Sequence, residues 1–199
     1  MPRAGLTPDR VVVEAEQLVD EVGMQQLTLA AVAARFGVRQ PSLYKHVESL
    51  GALEHRIAIR AKVELGDVLG RAAIGRSQGD AITAMARAYR DWALQHPGRY
   101  EAAQRAPIPG DAEDEAASDR VVNVVATVIE RYQLRDDDAI DAIRAYRSAV
   151  HGFVSLEAGG GFGLPVSVNQ SFERLICSLT EVLSNWNTAT KCVPRAPAP

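Results

Sequence analysis

Between Gly37 and Glu48 the chain reads Gly-Val-Arg-Gln-Pro-Ser-Leu-Tyr-Lys-His-Val-Glu, a run in which Gln40, Ser42, Tyr44, Lys45 and His46 can all donate hydrogen bonds. Leu43 and Val47 are four residues apart, so a helix opened by Gln40 and Pro41 has an apolar side and leaves Ser42, Tyr44, Lys45 and His46 on the other. Donors and one aromatic ring exposed on a short helix match the base edges of the DNA major groove and the phosphates beside them. A second reading of the same residues stays open, because helix, glycine turn, helix is also a plain helical hairpin. Composition favours the first, since a merely solvated face more often carries Glu and Lys.

The other chemically suggestive residues are Asp136, Asp137, Asp138 and Asp141, because aspartate-rich helices can hold magnesium for diphosphate chemistry. A helical metal-dependent enzyme using Asp136 to Asp141 is therefore the alternative function. Against it, acidic residues gather where a helix begins through capping and the helix dipole, and no second aspartate-rich segment or basic cluster accompanies them. Four scattered histidines, no serine with a plausible base and no acids paired at a required spacing leave no catalytic constellation, so neither an enzyme nor a cofactor or metal site is expected. Cys177 and Cys192 lack the spacing of a zinc site and read as ordinary thiols. Gly159 to Gly163 has no preceding strand and no following Gly-Lys-Ser/Thr, so it reads as a flexible connector rather than a nucleotide loop.

The elements that must position the donors are all helical. Thr7 and Pro8 start an amphipathic helix with Val11, Ala15, Leu18, Val19 and Val22 on one face, stopped at Gly23. Thr28 caps a second helix carrying Leu29, Val32, Ala33 and Phe36, which Gly37 ends. With Leu43 these close a three-helix head. Ser49 caps a fourth helix expected to run to about Leu69, and Gly70, Gly75 and Gly79 bracket a loose connection. Further helices are expected from Asp80 to His96, briefly after Pro97, through Val121 to Tyr132, from Ala139 to Ala158, and from about Ser167 to Trp186, with an exposed loop over Ala106 to Glu115. No strand pattern appears, so the fold class is all-α: a helix-turn-helix head over residues 1–48, a helical regulatory and dimerisation body over 49–190, and a mobile Pro-Arg-Ala tail over 191–199.

A net charge of −3 sits oddly with a nucleic-acid partner until it is divided along the chain. Residues 35 to 62 hold six cations, Arg35, Arg39, Lys45, Arg56, Arg60 and Lys62, against Glu48 and Glu54. Local positive charge is expected around the reading helix, with the acidic remainder limiting indiscriminate binding. No stretch approaches the roughly 18 apolar residues of a membrane span and no apolar signal core opens the chain, so no membrane partner and a cytoplasmic location are expected.

The segment GVRQPSLYKHVESLGAL resembles the turn and recognition helix of TetR-type repressors, whose pattern is roughly G-V-x-x-x-x-L-Y-x-H-[VF]-x-x-K-x-x-L; the likeness extends over about residues 7 to 62. Arg144 to Glu157, with its His151-Gly152 pair and the glycine-rich run that follows, is similar to a C-terminal regulatory domain of one TetR subgroup. The resemblance implies a transcriptional repressor on a palindromic double-stranded DNA operator, assembled as a homodimer through its last two helices and released by an unidentified small molecule. It places Gln40, Pro41, Ser42, Tyr44 and His46 at the DNA, Thr28 near a phosphate, and Lys45 or Arg39 as further contacts. Two positions depart from the pattern: Leu50 stands where a lysine is usual, and Ala30 where some members carry a base-contacting arginine. For the ligand, Tyr89, Trp92, Tyr100, Phe153 and Phe162 could line an apolar pocket, with core packing as the other reading. His151 is either a ligand contact or a hydrogen-bonded core or interface residue.

Overall fold

The computed structural model describes residues 6–186, and every described element is helical. The expected tail, 191–199, and Cys192 lie outside the described residues. The elements are α1 (Pro8–Val22), α2 (Leu29–Arg35), α3 (Leu50–Ala73), α4 (Gln78–Gln95), α5 (Pro97–Ala103), α6 (Ala112–Ile129), α7 (Asp136–Ala158) and α8 (Val168–Ser184), with short 3-10 helices at Met24–Gln26, Gln40–Lys45 and Glu130–Tyr132.

Local sequence explains most boundaries. Thr7, Thr28, Ser49 and Ser167 each accept a bond from the backbone N–H three residues on, satisfying a donor that the helix cannot. Gly23 and Gly37 end their helices at positive φ, 87° and 65°, where a side chain would be strained. Three expectations change. The helix expected to open at Gln40 and Pro41, the third of the head, is a 3-10 helix of six residues, Gln40–Lys45. α3 passes through Gly70 to Ala73, and the glycine at positive φ beyond its end is Gly75, at 72°. The acidic run Glu113–Glu115 is the first turn of α6 instead of loop, since Asp111 caps that helix through the N–H groups of Glu113 and Asp114 at 3.1 Å.

Packing groups the chain into two units. The first holds the described residues up to Val68 together with Asp91–Val122; the second holds Leu69–Arg90 and the described residues from Asn123. α3, α4 and α6 contribute residues to both. The core of the first unit contains Val11, Val12, Val19, Val32, Leu43, Leu53 and Ile57, all without solvent exposure. α5 closes onto α1 at Gly98, where a Cβ would overlap the Val19 carbonyl. The second unit buries Ala142, Tyr146, Val150 and Val154 of α7 and Phe172, Ile176 and Leu183 of α8.

One buried polar contact fastens the first unit. Lys62 on α3 and Asp114 on α6 are 3% and 2% exposed, and their charges meet at 2.5 Å. Burial alone would raise the Asp114 pKa, but the bonds from Lys62 and the Ile108 N–H outweigh it and hold the carboxyl below its ordinary value. Removing one partner leaves the other charged and buried. Lys62→Met is therefore expected to cost about 3 kcal/mol in urea unfolding, and adding Asp114→Leu should recover most of that loss.

Candidate nucleic-acid interface

The reading element is too short to hold its own shape, because a 3-10 helix has poorer hydrogen bonds than an α-helix and rarely extends beyond a few residues. It is held from below by Leu43, completely buried, and by Val47, both in the core with α1 and α2. Pinning those two side chains turns the others outward. Arg39, Gln40, Pro41, Tyr44 and Lys45 are exposed, and Ser42 and His46 are half-buried. Tyr44, at 54% exposure, is a large aromatic residue left uncovered on the head. Gln40 Nε2 donates to the Tyr44 hydroxyl at 3.2 Å, which fixes the amide and leaves its oxygen and second N–H for a bidentate partner such as adenine.

A cleft of about 340 Å³ opens beside this element, lined by Thr28, Leu29, Ala30, Gln40, Tyr44, Glu48, Ser49 and Leu50. It brings Thr28, Gln40 and Tyr44 together with residues the sequence reading had not assigned to the interface. Its walls are the first turn of α2, capped by Thr28, and the first turn of α3, capped by Ser49. Both helix starts present backbone N–H groups and positive dipole ends, the arrangement that suits a phosphate. Leu50 contributes apolar surface and Glu48 a carboxylate. The signal that could have found this cleft was in the sequence as two N-caps, Thr28 and Ser49, but their convergence depends on the turn between them.

The expected cationic surface is corrected by the ion pairs. Arg35 pairs with Glu14 and, at 2.7 Å, with Glu21, which lowers the Glu21 pKa and raises that of Arg35. Arg56 pairs with Asp9 at 3.1 Å, Arg60 with buried Glu16 at 2.7 Å, and Lys62 with Asp114. Four of the six cations thus fasten helices to one another. Arg39 and Lys45 remain exposed and hold no ion pair among the described residues.

The residues considered for a ligand divide between the units. Trp92 and Tyr100 are buried in the first, where the Trp92 ring meets His96 edge-on at 5.7 Å. Tyr89, His151, Phe153 and Phe162 belong to the second. There Phe153 packs between Phe162 and Phe172, with ring centroids 4.7 and 5.1 Å away, and Phe162 edges an apolar cleft of about 330 Å³ with Leu164 and Val166. His151 is half-buried, and burial, followed by the charge of Arg147, lowers its pKa. Of the aspartates, Asp138 accepts from Trp186 Nε1 at 3.2 Å and Asp141 faces Arg144 at 3.4 Å. Among the described residues no group of three or more His, Cys, Asp or Glu is arranged to hold a metal ion. No described helix is long and apolar enough to cross a membrane.

Comparison with known proteins bears on this arrangement. The family model described as "Tetracyclin repressor-like, C-terminal domain" matches residues 82–179. An uncharacterized HTH-type transcriptional regulator of Mycobacterium tuberculosis is 39% identical over 158 residues, 79% of this chain and 72% of the relative. An uncharacterized HTH-type transcriptional regulator of Bacillus subtilis is 36% identical over 162 residues, 81% of this chain and 84% of the relative. Among solved structures, a TetR variant from Acinetobacter baumannii in complex with minocycline matches with a TM-score of 0.61 over 96% of this chain and 100% of that one, and at 18% identity this is a likeness of fold.

Proposed function

The chain belongs to the TetR family of helix-turn-helix transcriptional regulators, a DNA-binding family, and from that premise we propose that it is a repressor whose paired heads read a palindromic operator until a small molecule bound in the helical body releases them. The observation that carries the DNA reading is the short element Gln40–Lys45, with Leu43 buried and Gln40, Tyr44 and Lys45 exposed beside a cleft walled by two helix starts. In this reading Gln40 and the Pro41-Ser42 edge meet bases. Tyr44, His46, Lys45 and Arg39 meet the backbone, and the Thr28 and Ser49 helix starts receive a phosphate. Nothing in the structure favours the enzyme alternative at Asp136 to Asp141.

With Arg39 and Lys45 the cations left for DNA on the reading element, one head gains little from phosphate attraction, and two heads about one DNA turn apart gain affinity through effective concentration. Supporting a twofold dimer, Ile140 and Leu156 on α7 and Val182 on α8 remain exposed after the protomer has folded. A ligand can release the operator only by binding the released arrangement more tightly than the DNA-competent one. The minocycline complex of the A. baumannii protein supports a ligand of some kind here without indicating which.

Gln40→Ala is expected to lose about 1–3 kcal/mol of discrimination at one base pair, whereas Lys45→Ala should weaken all sequences alike and reduce the salt slope by about one. Fluorescence anisotropy with operator and scrambled duplexes across a salt series reads both; identical losses on every duplex in the two variants would refute the assignment. Glu48→Gln should tighten binding to every duplex by roughly 1 kcal/mol, because it removes a carboxylate from the proposed phosphate seat. Weaker binding would instead make Glu48 a contact. Val182→Glu places a charge on exposed apolar surface, so light scattering should show monomer with unchanged helical content, and operator affinity should fall although no head residue has changed. A wild-type protein that is monomeric at micromolar concentration and binds one half-site with full affinity would rule out the paired-head mechanism.

A further inference from the structure

The interior of the second unit contains two hydroxyls that the described residues leave unsatisfied. Tyr146 on α7 is 3% exposed and Tyr132, in the 3-10 helix after α6, is half-buried; neither phenol oxygen has a hydrogen-bond partner among the described residues. Leaving a buried donor unpaired destabilises the fold, a penalty that phenylalanine would avoid at either position. Around Tyr146 the buried stripe of α7 is otherwise apolar, Ala142, Val150 and Val154.

The contacts of α8 place the two phenols at one level. α8 runs antiparallel to α7, since Phe172 packs on Phe153 while Trp186 near its far end donates to Asp138. It also runs antiparallel to the part of α4 in this unit, since Glu173 pairs with Arg87, Asn169 accepts from Arg90, and Thr180 lies 3.7 Å from the Cβ position of Gly79. Equal rise along each helix keeps this register constant, so Tyr146 lies level with residues 178–180 of α8 and with the start of α4. The Tyr132 hydroxyl reaches the same level, 3.9 Å from that Gly79 position.

The surroundings select the chemistry of a partner. Burial raises the pKa of Tyr146 well above the ordinary phenol value, and burial followed by the charge of Asp80 raises that of Tyr132, so both hydroxyls stay protonated and offer O–H donors. The buried described residues of this unit are otherwise apolar, among them Ile82, Met85, Val128 and Ile176, so a charged partner would lose its hydration there without a buried counter-charge. An acceptor without charge fits both conditions.

We propose that the effector of this regulator is a neutral, mainly apolar molecule bearing a carbonyl-type acceptor, held inside the second unit by hydrogen bonds from Tyr146 and Tyr132. This rests on the ligand-responsive reading above and adds to it the class of molecule and the residues that hold it.

Benzophenone, a neutral diaryl ketone, and diphenylmethane, which has the same rings without the acceptor, test it by calorimetric titration of the full chain. The wild type should bind benzophenone more tightly than diphenylmethane. Tyr146→Phe and Tyr132→Phe should together remove roughly tenfold of benzophenone affinity, leave diphenylmethane binding unchanged and keep or raise the melting temperature. Near-ultraviolet irradiation should cross-link benzophenone to peptides of α4, α7 and α8. Equal affinity for the two probes, no binding of benzophenone, an unchanged double Phe variant, or cross-links confined to residues 161–171 would each overturn the proposal. Anisotropy with duplex DNA alone judges the DNA reading separately, and benzophenone that binds without releasing DNA would leave the site standing while removing its role in repression.

Discussion

The burial of Leu43 is the constraint on which the reading surface depends. A six-residue 3-10 helix has too few internal bonds to select one orientation, so its direction is set by the side chain it drives into the core of α1 and α2. Once Leu43 and Val47 are seated, Gln40 and Tyr44 are four residues apart on the outer side and near enough to bond each other. Apolar packing thus determines which polar atoms face a partner. Gly37, at positive φ, makes the turn tight enough for α2 and the reading element to share that core.

Electrostatics in the first unit serves assembly before it serves recognition. Arg35, Arg56, Arg60 and Lys62 hold partners on α1 or α6, and Arg99 on α5 reaches Asp20 and Glu64 at 2.7 Å. Exposed members of this set add little individually. The buried Lys62 and Asp114 pair differs, because neither charge has water to return to while the unit stays folded. In the proposed reading, attraction of phosphate falls to Arg39, Lys45 and the two helix starts, and a second head adds affinity through effective concentration.

How much could be read in advance follows the range of each interaction. Caps and stops act over three or four residues, and Thr7, Gly23, Thr28, Gly37, Ser49 and Ser167 all stand where local chemistry placed them. The family resemblance of residues 37–53 was legible for the same reason, since it is carried by one continuous run. Gly70 and Gly75 look alike in sequence, and only the backbone distinguishes the one inside α3 from the one at positive φ beyond its end. The cationic patch failed for a related reason. Glu16 is 44 residues from Arg60, and no periodicity reveals that the two meet. The 3-10 geometry of Gln40–Lys45 was hidden because its side-chain spacing resembles that of an α-helical turn.

Both units pair their buried charges, while each also holds uncharged buried groups with no hydrogen-bond partner among the described residues, Trp92 Nε1 and Ser118 Oγ in the first and the Tyr132 and Tyr146 hydroxyls in the second. In the first, the charges of Lys62 and Asp114 lie deep but meet each other, and Asp114 also accepts from the Ile108 N–H. In the second, the arginines that join its helices, Arg87 and Arg90, bond carboxylates at Glu173 and Glu157 and leave no charge unpaired between them. What sets the Tyr132 and Tyr146 hydroxyls apart from Trp92 and Ser118 is that they lie at one level of the second unit's apolar interior, where each weakens the protomer that carries it. Their cost is recovered when a molecule supplies the missing acceptor, and a group unsatisfied only in the unliganded state makes the protein respond to ligand.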